Sequence, residues 1–326
     1  MGRRRGGHDR LGPDGSGSGA VDLRTAVGPV PLPNPVVTAS GTAGHGAELE
    51  AFFPLRRLGA VTVKSLSARA WAGNPAPRVH AVGDGMLNSV GLQGPGVAAW
   101  LADDLPALVA ARARVVVSIW GRHVGDFAEA AALLAGAPEA VVALEVNLSC
   151  PNLDGGRHLF AQSERDAAAV VRAVVAETDR PVWAKLTAQV TGLAAVATAV
   201  AEAGASAVTL INTLLGMEID PVTRRYRLGA GPAGGGYSGA PIHPVAVRAV
   251  HDVHAALPGL PIVGVGGVST ATDAVELLLA GASAVGVGTA TFADPRAPLR
   301  VLDDLEHWCA RNGVGAITEL IGGAHE

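Results

Sequence analysis

"PIVGVGGVSTATDAVELLLAGASAVGVGTATF", residues 261–292, is the stretch whose reading decides the fold. It opens on an apolar β-branched run, "PIVGVGG" at 261–267, with nothing polar on either face. "STATDAVELLLAGA" follows with apolar residues recurring at a period of roughly 3.6, as in a helix. Ser269 or Thr270 can cap that helix, and Gly281 can end it. A second apolar run, "SAVGVGT" at 283–289, completes the unit. A strand, a helix and a strand, with both strands apolar on both faces, predict parallel pairing with helices covering the sheet.

The same pattern extends back through the chain. Strands are predicted in "NPVVTAS" (34–40), "GAVTVKS" (59–65), "RVVVSIWG" (114–121), "VALEVNLS" (142–149), "PVWAKL" (181–186) and "AVTLINT" (207–213). Helical periodicity fills 123–136, 163–178, 193–204, 243–257 and 270–281. About eight such units predict a closed (β/α)8 TIM barrel with long loops at its C-terminal face. An open doubly wound sheet is the alternative. Two connections, 65–94 and 213–242, exceed a loop plus a helix and read as lids or site walls.

The composition suits this architecture. Of 326 residues 49% are hydrophobic but only 4% aromatic, so the interior is built from Ala, Val, Leu and Gly, as stacked βα units require. A net charge of -4 provides no global basic field for nucleic acid. Two cysteines make no disulfide framework and point to a reducing cytosol, so a cytoplasmic location is expected. No apolar run of about 18 residues suggests a membrane span. Residues 1–19, rich in Arg, Gly and Ser without an apolar segment, read as a disordered tail rather than a signal peptide. Arg3 to Arg5 could touch a polyanion, but a solvated tail fits that composition better. Residues 20–326 are expected to form a single domain.

In such a barrel, function gathers where strands end. The polar and glycine residues there are Ser40-Gly41, Lys64-Ser65, Ser118, Asn147 with Cys150, Lys185, Asn212-Thr213, Gly266-Gly267 and Gly288-Thr289. A lysine ending a buried strand needs a partner, so Lys64 and Lys185 suggest an anionic or electron-rich ligand; snorkelling to the rim is the alternative. The paired glycines after strands seven and eight suit a phosphate cradle, although glycine turns after strands are common. Asn88, Asn147, Asn152 and Asn212 supply donors and acceptors for a flat heterocycle, or serve singly as turn residues and caps. Taken alone, Cys150 reads as packing. Cys309, in "LEHWCARNG", reads as helix packing. No metal site is expected.

Together, "NPVVTASGTAG", "GAVTVKS", "GNPAPRV", "MLNSVGLQGPG", "EVNLSCPN", "LINTLLGMEID", "GYSGAPIHP", "GVGGV" and "AVGVGTATF" resemble the class 1 dihydroorotate dehydrogenases. "GLQGPG" and "LINTLLGM" resemble most closely the catalytic subunit of the NAD-linked class 1B enzymes, over roughly residues 22–305. The resemblance implies an FMN-dependent barrel that oxidises (S)-dihydroorotate to orotate in pyrimidine (UMP) biosynthesis. It implies that Cys150 removes the C5 proton while hydride passes to FMN, with Lys64 facing both substrate and flavin. Asn88, Asn147, Asn152, Asn212 and Thr213 would hold the substrate. Ser40, Gly41, Lys64, Ser65, Ser118, Asn147, Lys185, Ile211, Ser238, Gly239, Gly266, Gly267, Gly288 and Thr289 would line FMN. A partner subunit would carry FAD and a [2Fe–2S] cluster, since this chain has no cysteine cluster of its own, and a homodimeric core is expected. The membrane-linked class 2 enzymes carry serine as base and an N-terminal membrane extension, and this sequence has neither.

The chain also departs from the family pattern. Ser118-Ile119-Trp120-Gly121 stands where an Asn-Val-Ala-Gly-like run is usual, so Ser118 would be a shorter flavin contact and Trp120 would crowd the mouth. Ala43 stands where an aromatic residue is common. A related flavin barrel acting on another dihydropyrimidine, and a non-catalytic flavin-binding homologue, are the alternatives.

Overall fold

The structure, a computed structural model, describes residues 20–149 and 159–325. Its centre is a sheet of eight parallel strands. In chain order these are β1 (Val36–Thr38), β2 (Val61–Thr62), β3 (Val115–Ile119), β4 (Val141–Asn147), β5 (Val182–Lys185), β6 (Ala207–Leu210), β7 (Ile262–Val265) and β8 (Ala284–Val287). Each strand pairs with its sequence neighbours, and β8 returns to pair with β1. The ring closes between β1 and β2 through a parallel bridge from Val37 to Ala60, where the Gly59 N–H donates to the Val36 carbonyl at 2.8 Å. The barrel is therefore closed, and the open-sheet alternative is set aside.

Alternation along the strands divides the core in two. Val36, Val115, Val117, Ile119, Leu144, Val146, Val208 and Val285 face outward. They pack beneath helices that include α3 (Val124–Leu134), α4 (Glu164–Val175) and α5 (Leu193–Glu202), whose Phe127, Val171 and Val200 are fully buried. Val37, Ala60, Val116, Ala143, Trp183, Ala207, Val263 and Ala284 face inward. A short N-terminal hairpin, Thr25–Val27 with Val30–Leu32, seals this inner core by adding Val27, Val30 and Leu32. Burial of each such side chain contributes about 1.5–3 kcal/mol.

The two preceding helices, α1 (Val97–Asp103) and α2 (Leu105–Ala110), follow β2. Later come α6 (His243–Ala256), α7 (Ala271–Leu279), α8 (Ala290–Ala293) and α9 (Ala297–Arg311). Thr270 caps α7 by accepting from the Asp273 N–H, while the Asp273 carboxylate accepts from the Ser269 and Thr270 N–H groups. Gly281 follows the last turn with φ +116°, the terminator its position predicts. Cys309 is buried on α9, and burial pushes its thiol up.

The two long excursions meet over the barrel. Val79–Val82 and Gly85–Asn88 form a hairpin, and Gly235–Gly239 joins Gly85–Asn88 to Leu214–Gly216 in one antiparallel sheet. Among the described residues no helix is long and apolar enough to cross a membrane. Residues 1–19, expected as a disordered tail, lie outside the described residues.

Candidate active site

At the C-terminal ends of the strands lies a cavity of about 1300 Å³. Its lining brings together Ser40, Gly41, Lys64, Ser65, Asn88, Asn147, Lys185, Ile211, Asn212, Thr213, Ser238, Gly239, Gly266, Gly267, Gly288 and Thr289. Cys150 and Asn152 lie outside the described residues. Ser118 does not reach the cavity: it is fully buried, and its hydroxyl pairs with that of Ser65 at 2.9 Å. The inward position on β3 lies deeper than the lining, so Ser118 supports Ser65 from behind instead of forming the wall.

Barrel register sets the floor. Asn147 sits beside Lys185, and Lys185 beside Thr209, because β4, β5 and β6 are parallel neighbours. The buried Lys185 ammonium lies 3.8 Å from Glu145 Oε1, and Glu145 Oε2 accepts from the Thr209 hydroxyl at 3.0 Å. Glu145 is 2% exposed and Lys185 6%, so little water shields either charge. Sequence reading missed Glu145 and Thr209. The signal was present: a carboxylate in the middle of the apolar run "VALEVN" needs a cationic or hydrogen-bonding partner.

A belt of hydrogen bonds runs around one side of the wall. Ser40 Oγ donates to the Val63 carbonyl at 2.9 Å and lies 3.2 Å from Ser65 Oγ. Asn147 Nδ2 donates to Ser65 Oγ at 3.4 Å, and Asn147 Oδ1 accepts from Asn212 Nδ2 at 3.0 Å. Asn212 Oδ1 in turn accepts from the Thr213 N–H at 2.8 Å. These bonds fix which end of each amide faces the cavity. From the antiparallel sheet, Asn88 Nδ2 donates to the Gly236 carbonyl at 3.2 Å. A Cβ on Gly236 would fall 2.1 Å from Thr213 Oγ1, so only glycine lets Asn88 and Thr213 close together.

Lys64 follows β2, and its side chain runs past Gly41, where an added Cβ would lie 3.3 Å from the lysine Cδ. Behind it, burial holds the His45 imidazole below its ordinary value, against the pull of the Asp104 carboxylate and with the help of Lys64. Trp120 is buried at 3% exposure, lines the cavity and meets Trp71 edge to face with ring centroids 6.1 Å apart. The Arg122 guanidinium caps Trp71 at 4.2 Å.

The opposite wall offers backbone. Gly266 and Gly267 have φ of +141° and +74°, conformations that side chains rarely adopt. Among the described residues, the N–H groups of Gly267, Val268, Gly288 and Thr289 donate to no other backbone group. Thr289 Oγ1 donates to Ser238 Oγ at 2.8 Å and so ties the end of β8 to the antiparallel sheet. Unsatisfied N–H groups around glycine turns suit an anion such as a phosphate. Among the described residues no group of three or more His, Cys, Asp or Glu side chains could hold a metal ion.

A closed barrel with this lining agrees with what known proteins share. The family profile described as dihydroorotate dehydrogenase matches residues 22–309. The chain belongs to the dihydroorotate dehydrogenase family. It is 46% identical over 305 residues to a protein of Desulforudis audaxviator (strain MP104C) named dihydroorotate dehydrogenase B (NAD(+)), catalytic subunit, covering 94% of this chain and 98% of the relative. Relatives of the same name are similar at 44% identity in Geotalea daltonii and 43% in Geotalea uraniireducens, covering 92% and 93% of this chain and 97% and 98% of theirs. Members of this family share the TIM barrel seen here.

Proposed function

We propose that this chain is the catalytic subunit of a dihydroorotate dehydrogenase, oxidising (S)-dihydroorotate to orotate in pyrimidine biosynthesis with FMN in the barrel cavity. The observation that carries this reading is the two-sided cavity, with lysines and an amide belt facing a backbone anion cradle. Both sides fit FMN. The unpaired N–H groups after β7 and β8 match its phosphate, and Lys64 and Lys185 match the electron-rich edge of its ring. When bound, FMN supplies the hydride acceptor.

The chain's own residues would do the rest. Asn88, Asn147, Asn152 and Asn212, with Thr213, would orient the imide edges of the substrate. Cys150 would accept the C5 proton; a thiol, with an ordinary pKa of about 8.5, can serve near neutral pH when flanked by cations or N–H donors. Lys64 would balance negative charge that grows at the ring during the reaction, and Glu145 would hold Lys185 aimed into the cavity. These roles for Cys150 and Asn152 rest on the "NLSCPN" motif.

Replacing Cys150 by Ala should abolish turnover near pH 7 yet leave a yellow protein absorbing near 450 nm. Wild-type-like turnover in that variant removes the base assignment. A wild-type protein that takes up no FMN removes the cofactor, and bleaching by dihydrouracil but not dihydroorotate changes the substrate.

The chain's two cysteines cannot supply the thiolates of a [2Fe–2S] cluster. NAD use would therefore fall to a separate electron-transfer subunit carrying FAD and that cluster, joined to a homodimeric core of this chain. The isolated chain should reduce artificial acceptors readily and NAD slowly; rapid NAD reduction by the purified chain overturns the need for a partner.

A further inference from the structure

The glycine turn after β7 is clamped from outside the cavity. A Cβ on Gly266 would lie 2.6 Å from that of Ala246, and one on Gly267 would lie 2.5 Å from that of His243. The first turn of α6 therefore presses directly on the turn. His243 is 9% exposed and does not line the cavity. Its Nδ1 is 2.8 Å from the Gly266 carbonyl oxygen, and its Nε2 is 3.2 Å from Glu276 Oε2 on α7.

A carbonyl oxygen only accepts, so Nδ1 carries the hydrogen and donates it. The peptide joining Gly266 to Gly267 is planar, and its C=O and N–H point in opposite directions. Anchoring the oxygen on the α6 side therefore turns the Gly267 N–H the other way, toward the cavity. Two consecutive glycines could otherwise flip that peptide at little cost, because neither has a Cβ to resist.

We propose that His243 is a positioning residue for the anion cradle: it holds the Gly266 carbonyl so that the Gly267 N–H is presented to the flavin phosphate. This rests on the reading that the cavity takes FMN. The role is one of orientation, since His243 touches neither flavin nor substrate. It predicts a defect confined to recognition of the phosphate.

The test titrates apo-protein with FMN and with riboflavin, which lacks the phosphate, and follows quenching of flavin fluorescence. His243→Asn keeps an N–H near the position of Nδ1, whereas His243→Gln reaches toward Glu276 and leaves Gly266 without a donor. His243→Gln should weaken FMN binding about tenfold, the worth of one hydrogen bond, with riboflavin affinity unchanged. His243→Asn should restore most of the FMN affinity. Equal losses for both flavins, or for both variants, overturn the proposal. If His243→Gln does not fold, His243→Ala, which also leaves Gly266 without a donor, should weaken FMN by a similar factor and spare riboflavin; equal losses for both flavins there also overturn it. A wild-type chain that binds both flavins alike overturns the cofactor reading itself, an outcome distinct from a silent His243.

Discussion

On one side of the cavity β4 and β5 end in Asn147 and Lys185, and the segments after β2 and β6 carry Lys64 and Asn212 at their second positions. On the other side β7 and β8 end in bare backbone, at Gly266-Gly267 and Gly288-Thr289. The first wall is held by bonds between side chains, so it is sensitive to what is removed. At Gly266-Gly267 the second is held by close approach of main chain to α6, so it is sensitive to what is added. Charge can be adjusted on the first wall; the second offers donors whose number and direction are set by the fold.

The largest effect should come from breaking the floor of the side-chain wall. Lys185→Ala leaves the Glu145 carboxylate buried beside Thr209 alone, and the loss should be about 3–5 kcal/mol in denaturant unfolding. A Glu145→Gln/Lys185→Met pair should recover most of that stability, because no uncompensated charge remains. Recovery of stability without recovery of turnover would separate the structural role of the pair from its role toward the ligand.

An added methyl should act in the opposite manner on the backbone wall. Gly267→Ala places a Cβ 2.5 Å from that of His243 at φ +74°, and should cost about 2–3 kcal/mol. FMN affinity should fall further than riboflavin affinity. An equal fall for both would mean that the two walls do not divide the ligand as described.

The smallest effect concerns His45 behind Lys64. Burial holds its folded-state pKa below the ordinary 6.5, with Asp104 opposing and Lys64 assisting. The unfolded chain therefore binds the proton first as pH falls. The stabilisation is fully present above 6.5 and is lost as pH drops through that value toward the folded one. Melting temperatures at pH 7 and pH 5 should differ less in His45→Gln than in wild type, and an unchanged difference would show that His45 carries no part of the acid sensitivity.

The barrel was legible because its strands announce themselves. "RVVVSIWG" and "PIVGVGG" are apolar on both faces, and Thr270 and Gly281 punctuate a helix between two of them. The lining was legible for a related reason: a polar residue closing an apolar strand has nowhere to go but the rim, as with Asn147 and Asn212. Depth within the barrel was not legible. Alternation assigns Ser118 an inward face, but only the register against Glu145 reveals that it lies below the cavity. The antiparallel sheet was also missed, since "GGYSG" and "LLG" are too short and glycine-rich to read as strands. Their pairing depends on partners far away in the chain. The N-terminal hairpin escaped for the same reason: Thr25–Val27 and Val30–Leu32 are three residues each.

The antiparallel sheet also bears on the order in which the molecule is built. Asn88 and Gly236, which meet across it, are 148 residues apart in sequence. Bringing such distant segments together has a high loop-closure entropy, which falls only once β3 to β6 have lined up between them. The sheet is thus a late product of folding, and Asn88 meets Gly236 only after the strands between them are in place. A half-folded chain whose β3 to β6 have not lined up would carry the lysines of the cavity but not its roof. During synthesis, flavin capture that requires the roof would wait at least until Gly235–Gly239 has left the ribosome.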